Sequence, residues 1–179
     1  MINWYKKVVF ENYANFSGRA RRSEYWYYTL MTVIISFILS IIDDLLGLKF
    51  GAKSSSGILS SLYALAVFIP GLAVSVRRLH DIGKSGKLLL LFYIIIIVLA
   101  IVMVVSGISV FMSAMNPSSI SPPDISALGI GFFVPLLLIF AMSIWMLVLF
   151  CTNGDSGANK YGSDPKAEEG EGINEIGKE

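Results

Sequence analysis

The sequence predicts an all-α polytopic membrane protein with four transmembrane helices, an N-terminal interfacial amphipathic helix and a disordered C-terminal tail. Composition is the first ground. Charged residues make up 15% of the 179, against about 25% in an ordinary globular chain, while hydrophobic types make up 55%. A soluble fold of this size would have too few charges to cover its outside. The second ground is spacing. Four long uncharged stretches alternate with short charged ones, and each can cross about 30 Å of hydrocarbon at 1.5 Å per helical residue. None alternates polar and apolar at period two, which disfavours a β-barrel.

The first 23 residues form a basic arm, too polar for a signal peptide. At 100° per residue Ile2, Tyr5, Val9, Tyr13 and Phe16 fall on one stripe opposite Lys7 and Glu11, which suits a helix lying in the membrane plane. The spans are expected at about 25–42, 58–76, 88–110 and 127–150, within a transmembrane domain covering 24–151. Ser23 is the expected N-cap of the first span, beside the interfacial cluster Tyr25, Trp26, Tyr27 and Tyr28. Pro70 and Pro135 each remove a backbone donor and should kink spans two and four. Small residues four apart, Ser36 with Ser40 and Gly71 with Ser75, permit close helix approach. After the last span, 152–165 is rich in glycine, and 166–179 reads as disordered. Cys151, at the end of span four, is read as a packing residue.

Twelve of the fourteen lysines and arginines lie before span one, between spans two and three, or after span four. Only Lys49 and Lys53 lie on the other side. Basic residues stay cytoplasmic during insertion, so both termini should be cytoplasmic.

On that side the chemistry is concentrated in two segments. FSGRARRSEYW, from Phe16 to Trp26, leads into span one, and VRRLHDIGKSGK, ending at Lys87, leaves span two. They bring Arg19, Arg21, Arg22, Arg77, Arg78, Lys84 and Lys87 to one face. Arginine at all five central positions suits bidentate recognition of phosphate or carboxylate, and basic residues near an anionic leaflet attract acidic lipid. Arg19, Arg22, Arg77, Arg78 and Lys84 are the candidate binding residues, with Glu24, His80 and Asp81 as structural partners. Arg77 and Asp81 are i,i+4 neighbours able to pair, and Glu24 could meet Arg77 or Arg78 across the first two spans.

Catalytic readings fare worse. Gly83-Lys84-Ser85-Gly86 matches a serine-protease string, but the serine would sit in a turn with only His80 as base. Gly83-Lys84-Ser85 also imitates the end of a phosphate loop, yet Arg78 stands where the first glycine is required. One cysteine and one histidine leave too little for a metal site, and neither cofactor, metal nor nucleic acid is expected. The spans hold no acid, base or lysine at depth, which counts against an ion-coupled transporter.

Three motifs give the chain a resemblance to the bacterial inner-membrane family catalogued as domain of unknown function 805 (DUF805). They are Phe16-Ser17-Gly18-Arg19 with Arg22, Glu24, Tyr25 and Trp26; then Arg77 through Gly86; and Gly154 with Gly157-Ala158-Asn159-Lys160-Tyr161-Gly162 and Asp164-Pro165. Lys87 stands where family members often carry tryptophan. The resemblance implies a small helical protein of the bacterial inner membrane, and it brings no catalytic residue. It also draws attention to Gly154 to Pro165, expected to fold back on the arginine segments with Asp155 or Asp164 available for pairing. The sequence therefore reads as a non-enzymatic module engaging anionic headgroups, a protein partner or a second copy at its cytoplasmic face, the alternative being a component of a small-solute transporter or channel.

Overall fold

The computed structural model describes residues 1–51, 57–115 and 129–167. The expected tail beyond 167, Lys53 and the connection at 116–128 lie outside the described residues. Among those described there is no strand, only isolated bridges such as Lys49 with Gly57. The protein is an all-α polytopic membrane protein with four membrane-spanning helices. The chain divides into two units, one of residues 1–86 and 152–179, the other of 87–151.

In the first unit, α1 (Ile2–Lys6) runs on into a π-helical turn, Lys7–Glu11. That wider turn changes the expected stripe, because i→i+5 bonding no longer advances 100° per residue. Val8 becomes the fully buried side chain, flanked by Tyr5 and Val9, while Ile2 stays exposed. Asn12 ends the turn by donating from Nδ2 to the Lys7 carbonyl at 3.1 Å, so Tyr13 and Phe16 lie beyond the helix.

Helix α2 (Arg22–Leu46) starts one residue before the expected cap. Arg21 is the extended residue at the N-cap, and Ser23 lies within the first turn. Glu24 in that turn complements the positive end of the helix dipole. Gly47 closes the helix at φ +66°, a left-handed conformation that glycine adopts without a Cβ clash.

The start of α3 (Ile58–Asp81) is capped from outside. Asp43, buried at the end of α2, accepts from Leu59 N at 3.0 Å, Ser60 N at 2.9 Å and Ser60 Oγ at 2.8 Å. Two orphan donors of the helix start are thereby satisfied. A Cβ on Gly57 would stand 2.0 Å from Asp43 Oδ2, so only glycine lets the carboxylate approach.

Pro70 sits within α3 without ending it. It supplies no N–H to the Ala66 carbonyl, and its ring crowds the neighbouring bond. Tyrosines donate to the carbonyl left without that donor and to the one after it. Tyr13 Oη donates to Ala66 O at 2.7 Å, and Tyr28 Oη donates to Val67 O at 2.6 Å. Tyr5 stacks on Tyr28 with ring centroids 6.0 Å apart and shares a 3.0 Å hydrogen bond with Tyr63 Oη. Burial and that bond push the Tyr5 phenol well above its usual range. Tyr28, with Val8, Ala20, Val67 and Val74, makes the core of the unit, and Tyr5 and Tyr63 pack against it.

Among the described residues, the second unit holds a pair of helices. α4 (Lys87–Met115) packs on α5 (Val134–Cys151), which follows a π-helical turn, Gly129–Phe133. Pro135 stands just after the π-helical turn, inside the continuous span Ile130–Cys151, so its missing N–H falls where the helix changes its winding. Gly131 meets α4 closely, since a Cβ there would lie 2.3 Å from Ser106 Oγ. Cys151 is exposed rather than packed. Large apolar side chains face outward throughout, among them Phe37 at 68%, Leu65 at 71% and Ile97 at 57% exposure. In water such a surface would be an aggregation liability; in lipid it is the required exterior.

The arginine-rich face as candidate functional site

Helix α3 ends at Asp81, where its last carbonyls have no partner within the helix. Three segments supply them. Ala20 N donates to Arg77 O at 3.0 Å from the arm, Lys84 N to Leu79 O at 2.9 Å from the following turn, and Asp155 N to Asp81 O at 2.8 Å from the segment after α5. Asn159 Nδ2 adds a bond to His80 O at 3.0 Å. Gly83 makes the turn at φ +69°. The end of α3 is therefore the node on which the three sequence motifs converge, all within one unit.

The side chains repeat the pattern. Arg77 Nη1 donates to Glu24 Oε1 at 2.6 Å, both side chains almost wholly buried, and Lys7 Nζ stands 3.9 Å from the other oxygen of Glu24. Asp81 is held by two guanidinium groups: Arg19 Nε reaches Oδ1 at 3.0 Å, and Arg78 Nη1 reaches Oδ2. The i,i+4 pairing of Arg77 with Asp81 does not form. Arg77 projects toward α2, where Glu24 waits, and Arg78, one step on, shares the Asp81 face.

The arginines also read backbone. Arg19 donates to Gly157 O at 2.6 Å and Asp155 O at 2.5 Å, and Arg78 donates to Thr152 O. The glycine-rich segment thus folds back as expected, but it offers carbonyls to the arginines, not carboxylates. Asp155 Oδ2 accepts from Asn159 Nδ2 at 3.1 Å. Asp164 accepts from Lys166 N at 2.9 Å and Gly157 N at 3.1 Å, and these N–H groups hold its carboxyl below the usual aspartate range. Gly154 is indispensable for contact, because a Cβ there would lie 2.1 Å from Asp81 Oδ2. His80 stacks on Tyr161, rings 3.8 Å apart and 6° from parallel, with Nδ1 3.2 Å from Gly18 O.

Two cavities open on this face. The larger, about 390 Å³, is lined by Arg19, Arg21, Arg22, Lys166 and the carboxylates Asp81, Asp155 and Asp164. The other, about 300 Å³, is lined by Trp4, Lys7, Arg19, Arg21 and Glu24. Of the candidate residues, Arg19 and Arg22 line these cavities, and Arg77 and Arg78 are buried behind them. Lys84 is exposed and lines neither. Lys7, Arg21, Asn159, Tyr161 and Lys166 were absent from the candidates; the count of basic residues had placed Lys7, Arg21 and Lys166 on this side, and the third motif held Asn159 and Tyr161.

Comparison with known proteins fits this architecture. No solved structure matches the chain. The chain is 37% identical over 165 residues to the inner membrane protein YhaI of Escherichia coli K12, covering 92% of this chain and 97% of that one. It is 43% identical over 103 residues to the inner membrane protein YhaH of the same strain, covering 58% and 83%. The family model described as a protein of unknown function, DUF805, matches residues 13–163, a range holding the first two motifs and the third as far as Gly162. The chain accordingly belongs to the DUF805 family and is an integral inner membrane protein.

Proposed function

We propose that this protein is a non-enzymatic binding module whose arginine-rich face is cytoplasmic and engages the headgroups of anionic phospholipids. The observation that carries the reading is the pair of cavities edged by Arg21 and Arg22 at the start of a membrane-spanning helix, where headgroup phosphates lie. With Arg77 and Arg78, which pair with Glu24 and Asp81, the face holds seven cations to four carboxylates. The acids are engaged internally, so the surplus positive charge is what a ligand meets. Arg19, Arg77 and Arg78 hold the platform, while Arg21, Arg22 and Lys166 meet the ligand. His80, stacked on Tyr161, belongs to that platform and not to a reaction.

The test is lipid retention by the purified full-length chain. In detergent exchange with equal phosphatidylglycerol and phosphatidylethanolamine, the wild type should keep the anionic lipid preferentially. Substituting Arg21→Gln with Arg22→Gln should reduce that preference at least about fivefold, each charge near the surface contributing about 1 kcal/mol. Equal retention of both lipids by the wild type would overturn the reading. For orientation, reporter tags at either terminus should report only from the cytoplasm, as the distribution of basic residues requires.

A further inference from the structure

The two cavities are neighbours with a common wall. Arg19, Arg21 and Pro165 line both. Beyond that wall each has cations of its own, Lys7 in the smaller and Arg22 with Lys166 in the larger. Each volume exceeds the ~30 Å³ share of a water molecule about tenfold, which leaves room for a hydrated phosphodiester.

The charges sort in the same way. Arg19 is spent on Asp81 and two backbone carbonyls, so it fixes the wall and does not reach for a ligand. Asp81, Asp155 and Asp164 each accept hydrogen bonds from within the protein, and Glu24 faces Arg77. Lys7 keeps a long 3.9 Å contact to Glu24 with its side chain 46% exposed, free to swing to a second anion. Trp4, with Lys7 Nζ 5.3 Å from its ring centroid, supplies the amphipathic indole that suits the headgroup level. One phosphate would use only half of this arrangement.

We infer that the face takes a lipid headgroup bearing two phosphates, of the diphosphatidylglycerol (cardiolipin) type. One phosphate sits in each cavity, and Arg21 lies between them. This rests on the anionic-headgroup reading above and narrows it. Once the first phosphate is seated, the second binds intramolecularly, and such linkage raises affinity by roughly 10²–10⁴ where the geometry permits. A headgroup with a single phosphate gains nothing from the second cavity.

The experiment titrates purified full-length protein with cardiolipin and with phosphatidylglycerol at matched phosphate concentration, followed by native mass spectrometry, with inorganic pyrophosphate as soluble competitor. The expected result is one cardiolipin per chain, bound at least about tenfold more tightly than phosphatidylglycerol. Lys7→Gln and Arg22→Gln, one in each cavity, should each bring cardiolipin down toward the affinity of phosphatidylglycerol. The latter should change less than about threefold in either variant, since the other cavity remains. Lys166→Gln serves in place of Arg22→Gln if that variant melts early, because the backbone of Lys166, not its side chain, holds Asp164. Equal affinity of the wild type for the two lipids would overturn the two-phosphate inference and leave the anionic reading standing. Binding of neither lipid would overturn both. Full displacement of cardiolipin by pyrophosphate would assign the cavities to a free diphosphate and remove the lipid.

Discussion

The two helix pairs solve the same problem by different means. Helices α4 and α5 are apolar on every side, and the polar groups of α4 turn back on their own helix, as Ser106 Oγ does to Val102 O at 2.7 Å. Where these helices meet, a glycine admits a serine, Gly131 against Ser106. Helices α2 and α3 are instead joined by polar groups at both ends, Asp43 capping α3 at one and Glu24 meeting Arg77 at the other. Lipid tails are as apolar as leucine, so burial of apolar surface gives little reason for helices to associate inside a bilayer. A unit that must hold a defined surface needs directional bonds, and the first unit has them. The second pair reads as a span that tolerates variation.

The sharpest way to break that contrast is to remove one buried charge. Asp81→Asn would leave Arg19 and Arg78 without their shared carboxylate, and deleting one partner of a buried pair costs about 3–5 kcal/mol. Thermal denaturation in detergent should show a drop of many degrees, together with rapid proteolysis of residues 152–167. Phe140→Leu on α5, 64% exposed, should move the same transition by less than about 0.5 kcal/mol. Comparable losses in the two variants would mean that the units do not differ in the way described.

Backbone proximity gives the next effect. Gly154→Ala would drive a methyl group into Asp81 Oδ2, and Gly57→Ala into Asp43 Oδ2. Overpacking of this kind costs about 1–3 kcal/mol. The two should be separable by limited proteolysis. Gly154→Ala should free the glycine-rich segment while the first turn of α3 stays protected, and Gly57→Ala should do the reverse. Cleavage of the same bonds in both would show that the two ends of α3 are not independent locks.

How much of this could be read in advance follows the physics of each signal. The spans were legible because hydrophobicity is a local sum over some 20 residues, and the helices at Arg22–Leu46 and Ile58–Asp81 fall where the uncharged stretches lie. The convergence of the arginine motifs was legible too, since charge placement across spans limits which loops share a side. The pairing was not. Whether Arg77 meets Asp81 or Glu24 depends on helix rotation, which a fraction of a turn alters and hydropathy does not encode. The π-helical turn at Lys7–Glu11 moved the buried side chain to Val8 for a similar reason. Asp43 drew no reading from the sequence, and only the fold shows it capping its neighbour. Donors near Pro70 could have been suspected from the carbonyl it leaves without one, but not which tyrosines would supply them.

That tyrosine repair offers a finer probe of the first unit. Tyr28→Phe removes the donor to Val67 O and leaves a buried carbonyl unmet, whereas Tyr13→Phe acts on a bond nearer the surface. The loss should be about 1–3 kcal/mol for Tyr28→Phe and at most about 1 kcal/mol for Tyr13→Phe. The ordering, read from paired melts, is the decisive result. A larger loss for Tyr13→Phe would place the controlling contact in the arm and not in the core.

The smallest expected effect is that of acid on the glycine-rich segment. Two backbone N–H groups hold the Asp164 carboxyl below its ordinary value, so the folded segment binds its proton less readily than the unfolded chain does. The sign follows from that difference. Stability from these bonds is complete above the unfolded value, near 3.8, and is lost as pH falls through the depressed folded value. Amide exchange at Gly157 and Lys166, corrected for its intrinsic acid dependence, should show protection that is flat at neutral pH and declines below about pH 4. Asp164→Asn should flatten that decline, because the amide has no proton to gain over this range. Since both N–H groups that Asp164 holds belong to this segment, the change should stay confined to it and leave the melting of the α2–α3 pair unmoved. An acid transition that took the whole first unit with it would mean that the segment and the arginine platform unfold as one.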